Sequence, residues 1–304
     1  MFSVVKFSSF STQTRAIFFL MASVMMFTGM AVCIRLSATH LHVLEVIFFR
    51  NFLAAIIMIP ILRPKGFAIL RMNNPKLFYV RGVIGVMGMF TGFTALTLIP
   101  LAQTTSISFS TPIFITIGAM FFLGEVIRIR RVIAILIGFV GMLIIIRPGI
   151  SPISLGIVLA FIAAISHAIN ALIIKRLTVT DSPDSIVAWM VIMLIPISFF
   201  PAIFVWEWPS GMAWLYLWAL AGFGTFAHMC ITRAYALTEI TSLQPLEFLK
   251  LPLAAFLAWI IFSEVPQIWT WIGGVIIFLS TSYISHREIV LARSIKPSQG
   301  IRET

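Results

Sequence analysis

From Gly82 to Gly124 the chain carries no charged residue. A helix crosses a bilayer with about 20 apolar residues, so this stretch is too long for one crossing and long enough for two. Pro100, in Leu98-Ile99-Pro100-Leu101, falls near its middle. Proline removes a backbone donor and pushes the preceding residue out of the helical region, so a tight turn belongs there. Similar apolar runs fill most of the chain. Crossings are predicted near 16–36, 44–62, 77–98, 101–123, 131–147, 153–174, 186–205, 212–236, 240–263 and 268–286. The fifth is short, and Arg131 and Arg147 at its ends can snorkel to the interfaces. The first run, Ala16 to Ile34, is longer than a signal-peptide core and ends in no small-residue cleavage site, so it is read as a span. With 60% of 304 residues hydrophobic and 10% charged, no water-soluble fold could bury the apolar surface. The expected fold class is therefore all-α and integral to the membrane, with ten transmembrane helices.

Lys and Arg number 21 against 10 Asp and Glu. In a soluble chain that excess would suggest nucleic acid. No basic face exists here, so no nucleic-acid partner is expected; the partner the composition demands is the lipid bilayer. The basic residues instead fill the two tails and the second, fourth and sixth loops, fifteen in all. Only Arg35 and Arg147 fall on the opposite side, and Arg50, Arg81, Arg233 and Lys250 lie within spans. Such a bias orients membrane proteins with the basic side inward, so both termini are expected to be cytoplasmic.

The two halves repeat. Ala95-Leu96 opens a stretch ending at Gly124-Glu125, and Ala234-Tyr235-Ala236-Leu237 opens one ending at Ser263-Glu264. Ala95 to Glu125 and Ala234 to Glu264 are both separated by 30 positions, and each stretch holds a proline in its second helix, Pro112 or Pro252. Five spans per half is an odd number, so the copies insert with opposite orientation. That 5+5 inverted-topology repeat is how secondary transporters are built, with the site near the midplane between repeats. The divisions expected are a tail at 1–15, repeats at 16–147 and 148–286, and a tail at 287–304.

Further motifs lie within this frame: Phe48-Phe49-Arg50, Ile99-Pro100-Leu101-Ala102 and Gly124-Glu125 in the first half, and Ser242-Leu243-Gln244-Pro245-Leu246 and Phe262-Ser263-Glu264 in the second. Together they resemble the EamA-type branch of the drug/metabolite transporter superfamily over residues 16 to 286. The resemblance implies a central cavity lined by spans 1, 3, 4, 6, 8 and 9, and alternating access in a bacterial inner membrane. It also implies a small-molecule metabolite as substrate: an amino acid, a nucleotide derivative, a vitamin, S-adenosylmethionine or similar. Glu247 and Lys250 inside span nine depart from the commonest form.

A charge near the bilayer centre costs several kcal/mol, so Glu247 and Lys250 are the most informative residues. Three apart on one helix, they share a face. They can neutralise each other and pack span nine, or face the cavity and bind a charged ligand or relay a proton. His167 and Asn170 share a face of span six, and His228 lies in the middle of span eight. Each is a packing hydrogen-bonder or a cavity group. The hydroxyls of span four, Ser110 among them, are often silent because they bond their own helix, yet their density before Pro112 suggests a polar face. Gln244 precedes Pro245 in span nine. The glycines of span three allow close packing, and Phe90 and Thr91 beside them could reach the cavity, an aromatic there stacking on a flat ligand. Met26, Phe90 and Phe114 would supply an apolar wall. Arg50, Arg81 and Arg233 are read as snorkelling or helix-locking groups, and Glu125 and Glu264 as structural.

Nothing supports catalysis, a cofactor or a metal. There is no Ser-His-Asp set, phosphate loop or dinucleotide glycine motif. The scattered His and carboxylates have no ligand spacing, and Cys33 and Cys230 sit alone in apolar runs. Energy is left to an ion gradient such as protons, a counter-substrate, or the substrate's own gradient. The leading reading is a secondary transporter, and its alternative a membrane channel or receptor-like module. Reporter fusions after residues 70, 128 and 290 should read cytoplasmic, and one near 209 external; a cytoplasmic signal at 209 would refute the inverted repeat.

Overall fold

The computed structural model describes residues 11–66, 72–108, 110–124, 129–146, 154–247, 249–264 and parts of 268–279. Among them it is helical throughout, with no strand. Six helices are each long and apolar enough to cross a bilayer: α1 (Thr12–Ala38), α2 (Val43–Leu62), α3 (Pro75–Leu98), α7 (Leu155–Leu177), α8 (Pro183–Ala202, with a 3-10 turn to Val205) and α9 (Met212–Leu237). α6 (Ile129–Ile146) is the fifth crossing of the first half. The predicted tenth crossing, both tails, Glu125 and Arg147 lie wholly or mostly outside the described residues. Helix starts follow their sequence signals. Ser11, Ser154 and Ser182 cap α1, α7 and α8, and His42 and Glu45 form a capping box on α2.

The sequence predicts spans four and nine as single helices, and each is broken. α4 (Leu101–Ser108) is followed by α5 (Thr111–Gly118) and a π-turn, Ala119–Leu123. α10 (Ile240–Glu247) is followed by α11 (Lys250–Phe262). Each break lies just before a proline, Pro112 or Pro252, whose ring displaces the helical hydrogen bond to the fourth residue back. The same tightened bond closes both: Ser110 N–H donates to Ile107 C=O at 3.0 Å and Leu249 N–H to Leu246 C=O at 3.2 Å. The distal ends match as well. Gly124 (φ 65°) and Ser263 (φ 55°) are both left-handed caps, with N–H bonds to Ala119 C=O and Ala258 C=O. The residues of the two closing bonds and of the two caps are each offset by 139 positions, and the two prolines by 140.

Helix pairing obeys the same exchange. α1 lies along α9, and its counterpart α7 along α3; α2 packs on α8; α4 meets α11 and α5 meets α10. Swapping halves maps these contacts onto themselves, so the chain is two five-helix repeats around a pseudo-two-fold axis. The α3–α7 seam is close because it is built on glycine: Gly88 sits against Ser166 and His167, and Gly92 against Ala163. Charged groups fasten the ends. Arg233 pairs with Asp184 at 2.6 Å, Arg35 with Glu264 across the repeats, and Lys175 donates to the carbonyls of Tyr235 and Thr238.

Ser263 holds a left-handed conformation that its counterpart Gly124 adopts without strain. The left-handed region costs a residue with Cβ about 1–2 kcal/mol, and glycine returns part of that as chain entropy. Ser263→Gly should therefore stabilise the detergent-solubilised protein by up to about 1 kcal/mol, read as a raised thermal midpoint; a lowered midpoint would contradict the assigned cap.

Candidate functional site

The break between α10 and α11 falls between the two charged residues that the sequence singles out. Glu247 ends α10 and Lys250 begins α11. Across the interruption Lys250 Nζ donates to Glu247 Oε2 at 2.9 Å, and both side chains are partly exposed. The ammonium also stands 5.3 Å from the centre of the Phe27 ring on α1. Phe27 in turn meets the His228 ring on α9 perpendicular and 5.0 Å away. Helices α1, α9 and α11 thus converge on one aromatic ring. The Nδ1 atom of His228 is buried with no hydrogen-bond partner.

His167 occupies the inward side of α7. Ile162, Ile165 and Ile169 face outward, while His167 shares its face with buried Ala160, Ala163 and Ala164. It is nevertheless exposed. An exposed side chain on an inward face borders open space inside the bundle.

The other candidates are held more tightly by their own surroundings. In the amide orientation that satisfies both its atoms, Asn170 donates to Arg81 C=O at 3.2 Å and accepts from Gly85 N–H at 3.1 Å, which sews α7 to α3. Thr91 donates to Met87 C=O at 2.7 Å, Ser110 to Ile107 C=O at 2.8 Å, and Gln244 to Ile240 C=O at 3.1 Å. Each hydroxyl or amide is turned onto its own helix. Phe90 is half-buried against the cluster formed by α1, α2 and α9. The structure therefore gathers Glu247, Lys250 and His228 around Phe27, places His167 on α7 within electrostatic reach of all three, and leaves Asn170, Thr91, Ser110, Gln244 and Phe90 in the packed walls.

Phe27 was missed by sequence reasoning because it is one of 28 phenylalanines with no motif around it. The lengthwise pairing of α1 with α9 is what identifies it. Arg50 also differs from its sequence reading. It is fully buried, donates to Asn51 Oδ1 at 2.8 Å, and its Nε has no partner. It lies against Gly224, and it neither snorkels nor locks through a carboxylate among the described residues. Arg81 does tie helices, donating to Ile186 C=O at 3.1 Å.

Residues 14–147 and 154–286 each match the EamA-like transporter family. The chain is 32% identical over 250 residues to an S-adenosylmethionine uptake transporter of Rickettsia felis, covering 82% of this chain and 85% of that one. It is 30% identical over 244 residues to a riboflavin transporter of Vibrio cholerae, covering 79% and 82%. A pseudopaline exporter of Pseudomonas aeruginosa is 27% identical over 265 residues, covering 85% and 92%. A solved crystal structure superposes with a TM-score of 0.76 at 19% identity, over 93% of this chain and 99% of that one, and supports the fold alone.

The geometry separates two residues of one helix. In a chain whose Cys33 and Cys230 are replaced by alanine, His167→Cys should react with a water-soluble thiol reagent, and Asn170→Cys, facing α3, should react at least tenfold more slowly. Equal rates would mean that α7 is rotated from the face described.

Proposed function

The chain belongs to the EamA-like transporter family, and from that membership we propose that it carries a small polar or amphipathic metabolite across a bacterial inner membrane by alternating access. At the coarser level it is a multi-pass membrane transporter of small metabolites. In the finer reading, repeats at 16–147 and 148–286 rock against each other between cytoplasmic tails at 1–15 and 287–304. Driving energy comes from a proton gradient or from exchange with a counter-substrate.

The observation that carries this reading is the placement of an ion pair across the break of a discontinuous helix. Half-helix ends in the middle of a transporter present unsatisfied backbone groups and dipole ends to a ligand. Lys250 and Glu247 add a mobile cation and an anion there, and His228 and Phe27 complete the polar end. His167, Asn170, Thr91, Ser110, Gln244 and Phe90 form the rest of the wall, with Met26 and Phe114 on its apolar side. The relatives' named substrates, S-adenosylmethionine and riboflavin, both join a flat ring system to a polar chain. A site with one polar end and aromatic walls suits that class.

Reconstituted vesicles test the reading. Uptake of labelled S-adenosylmethionine or riboflavin should saturate and be accelerated by unlabelled substrate inside. Lys250→Ala and Glu247→Ala should each reduce it at least tenfold while the protein remains inserted and monodisperse. A buried pair can often be exchanged for apolar residues without loss of stability, so the double change to leucine should be inactive yet as stable as the parent. Transport surviving in the double variant would assign the pair to packing, and flux without saturation or trans-acceleration would favour a channel.

A further inference from the structure

An ammonium ion held between a carboxylate and an aromatic face is the arrangement by which proteins recognise cationic ligands. Lys250 occupies such a box: its Nζ is 2.9 Å from Glu247 Oε2 and 5.3 Å from the Phe27 centroid. The box and its occupant come from three elements: Glu247 ends α10 and Phe27 comes from α1, while the occupant Lys250 begins α11. His228 abuts Phe27 at 90° and 5.0 Å, which fixes the ring's orientation. The occupant is tethered by a flexible four-carbon stem and is itself partly exposed, so it can leave without moving a helix.

We propose that Glu247 and Phe27 form a subsite for the cationic group of a zwitterionic ligand, an ammonium or other onium, and that Lys250 fills it when no ligand is bound. This rests on the transport reading above. A ligand cation entering the box displaces the Lys250 ammonium by like-charge repulsion. The freed ammonium, still on the same face, then takes the ligand's carboxylate. One movement of one side chain answers both charges of the ligand, and the empty site never exposes an unpaired carboxylate to the bilayer core. A ligand with only a cation leaves Lys250 stranded, and one with only an anion leaves the box to its tethered occupant, so the device selects for both charges together.

The test uses purified full-length protein and tetramethylammonium chloride, with sodium chloride as the ionic-strength control. Lys250→Met empties the box, so tetramethylammonium should bind it at least tenfold more tightly than the parent. Adding Glu247→Gln or Phe27→Leu to Lys250→Met should return the affinity to the parent's level. In the parent itself, tetramethylammonium should accelerate acylation of Lys250 by an amine-reactive ester, followed by peptide mass analysis. This second measurement decides the matter if Lys250→Met does not fold. Unchanged affinity in Lys250→Met, tight binding that persists in either double variant, or unchanged Lys250 reactivity in the parent overturns the subsite. Failure of the transport reading looks different: the parent then shows no saturable uptake, whatever tetramethylammonium binds. If uptake requires Lys250 but tetramethylammonium gains nothing from its removal, the subsite alone is wrong.

Discussion

In hydrocarbon there is no water to satisfy a backbone N–H or C=O, and each one left unpaired costs several kcal/mol. The architecture follows from that constraint. Spans must be helical, and a helix can be interrupted only where protein or an internal cavity surrounds the interruption. α4 and α5, like α10 and α11, are interrupted in mid-span, and the two broken spans meet each other, α4 with α11 and α5 with α10. α1 touches α10 and α11, and α7 touches α4 and α5. α1 along α9 and α7 along α3 form the walls, and α2 packs on α8. Ser110 and Leu249 recover one backbone bond at each break by reaching three residues back instead of four.

The polar side chains obey the same rule. Thr28, Thr91, Thr105, Ser106, Ser166, Ser198 and Thr232 all donate to carbonyls of the preceding turn. A hydroxyl satisfied in this way adds no cavity chemistry, and it lets a helix carry polar residues at little cost. Side chains that cannot fold back must find another helix, as Asn170 does on α3 and Arg233 does on Asp184 of α8. Exceptions remain among the described residues: the hydroxyls of Ser23, Ser37 and Thr225, the Nδ1 of His228 and the Nε of Arg50 have no partner. A fully buried guanidinium with one side-chain acceptor is expensive, and Gly224 yields the room for it, since a methyl group there would come within 2.9 Å of its Nη2.

The spans, the two-fold repeat and the family resemblance were legible in the sequence because they depend on composition and spacing. Charge-free runs set the crossings, and the 30-residue separation shared by Ala95–Glu125 and Ala234–Glu264 exposed the repeat. The breaks in spans four and nine were harder to read. Pro112 and Pro252 were visible, but a proline in a membrane helix can kink it as readily as end it. The site was only partly legible. Glu247 and Lys250 announce themselves by the cost of charge in lipid. Asn170 and Gln244 have the same kind of polarity in sequence, and only geometry separates groups that bond into helices from groups beside open space. Phe27 had no signal of its own, because its role comes from the partners that α9 and α11 bring to it.

The repeat is symmetric in backbone, yet its chemistry is not. At the first break Ser110 is neutral and turned onto Ile107, and at the second the matching region carries Glu247 and Lys250. Among the described residues, two-fold exchange pairs the main helix contacts, α1–α9 with α3–α7, α4–α11 with α5–α10, and α2–α8 with itself. A fully symmetric site would also bind a ligand equally well in two reversed poses. With both charges on the second repeat that degeneracy is absent, and at the proposed site the polar end of a ligand would be drawn to α10 and α11. The backbone symmetry is that of the family's two repeats, and the charge asymmetry distinguishes the second repeat from the first.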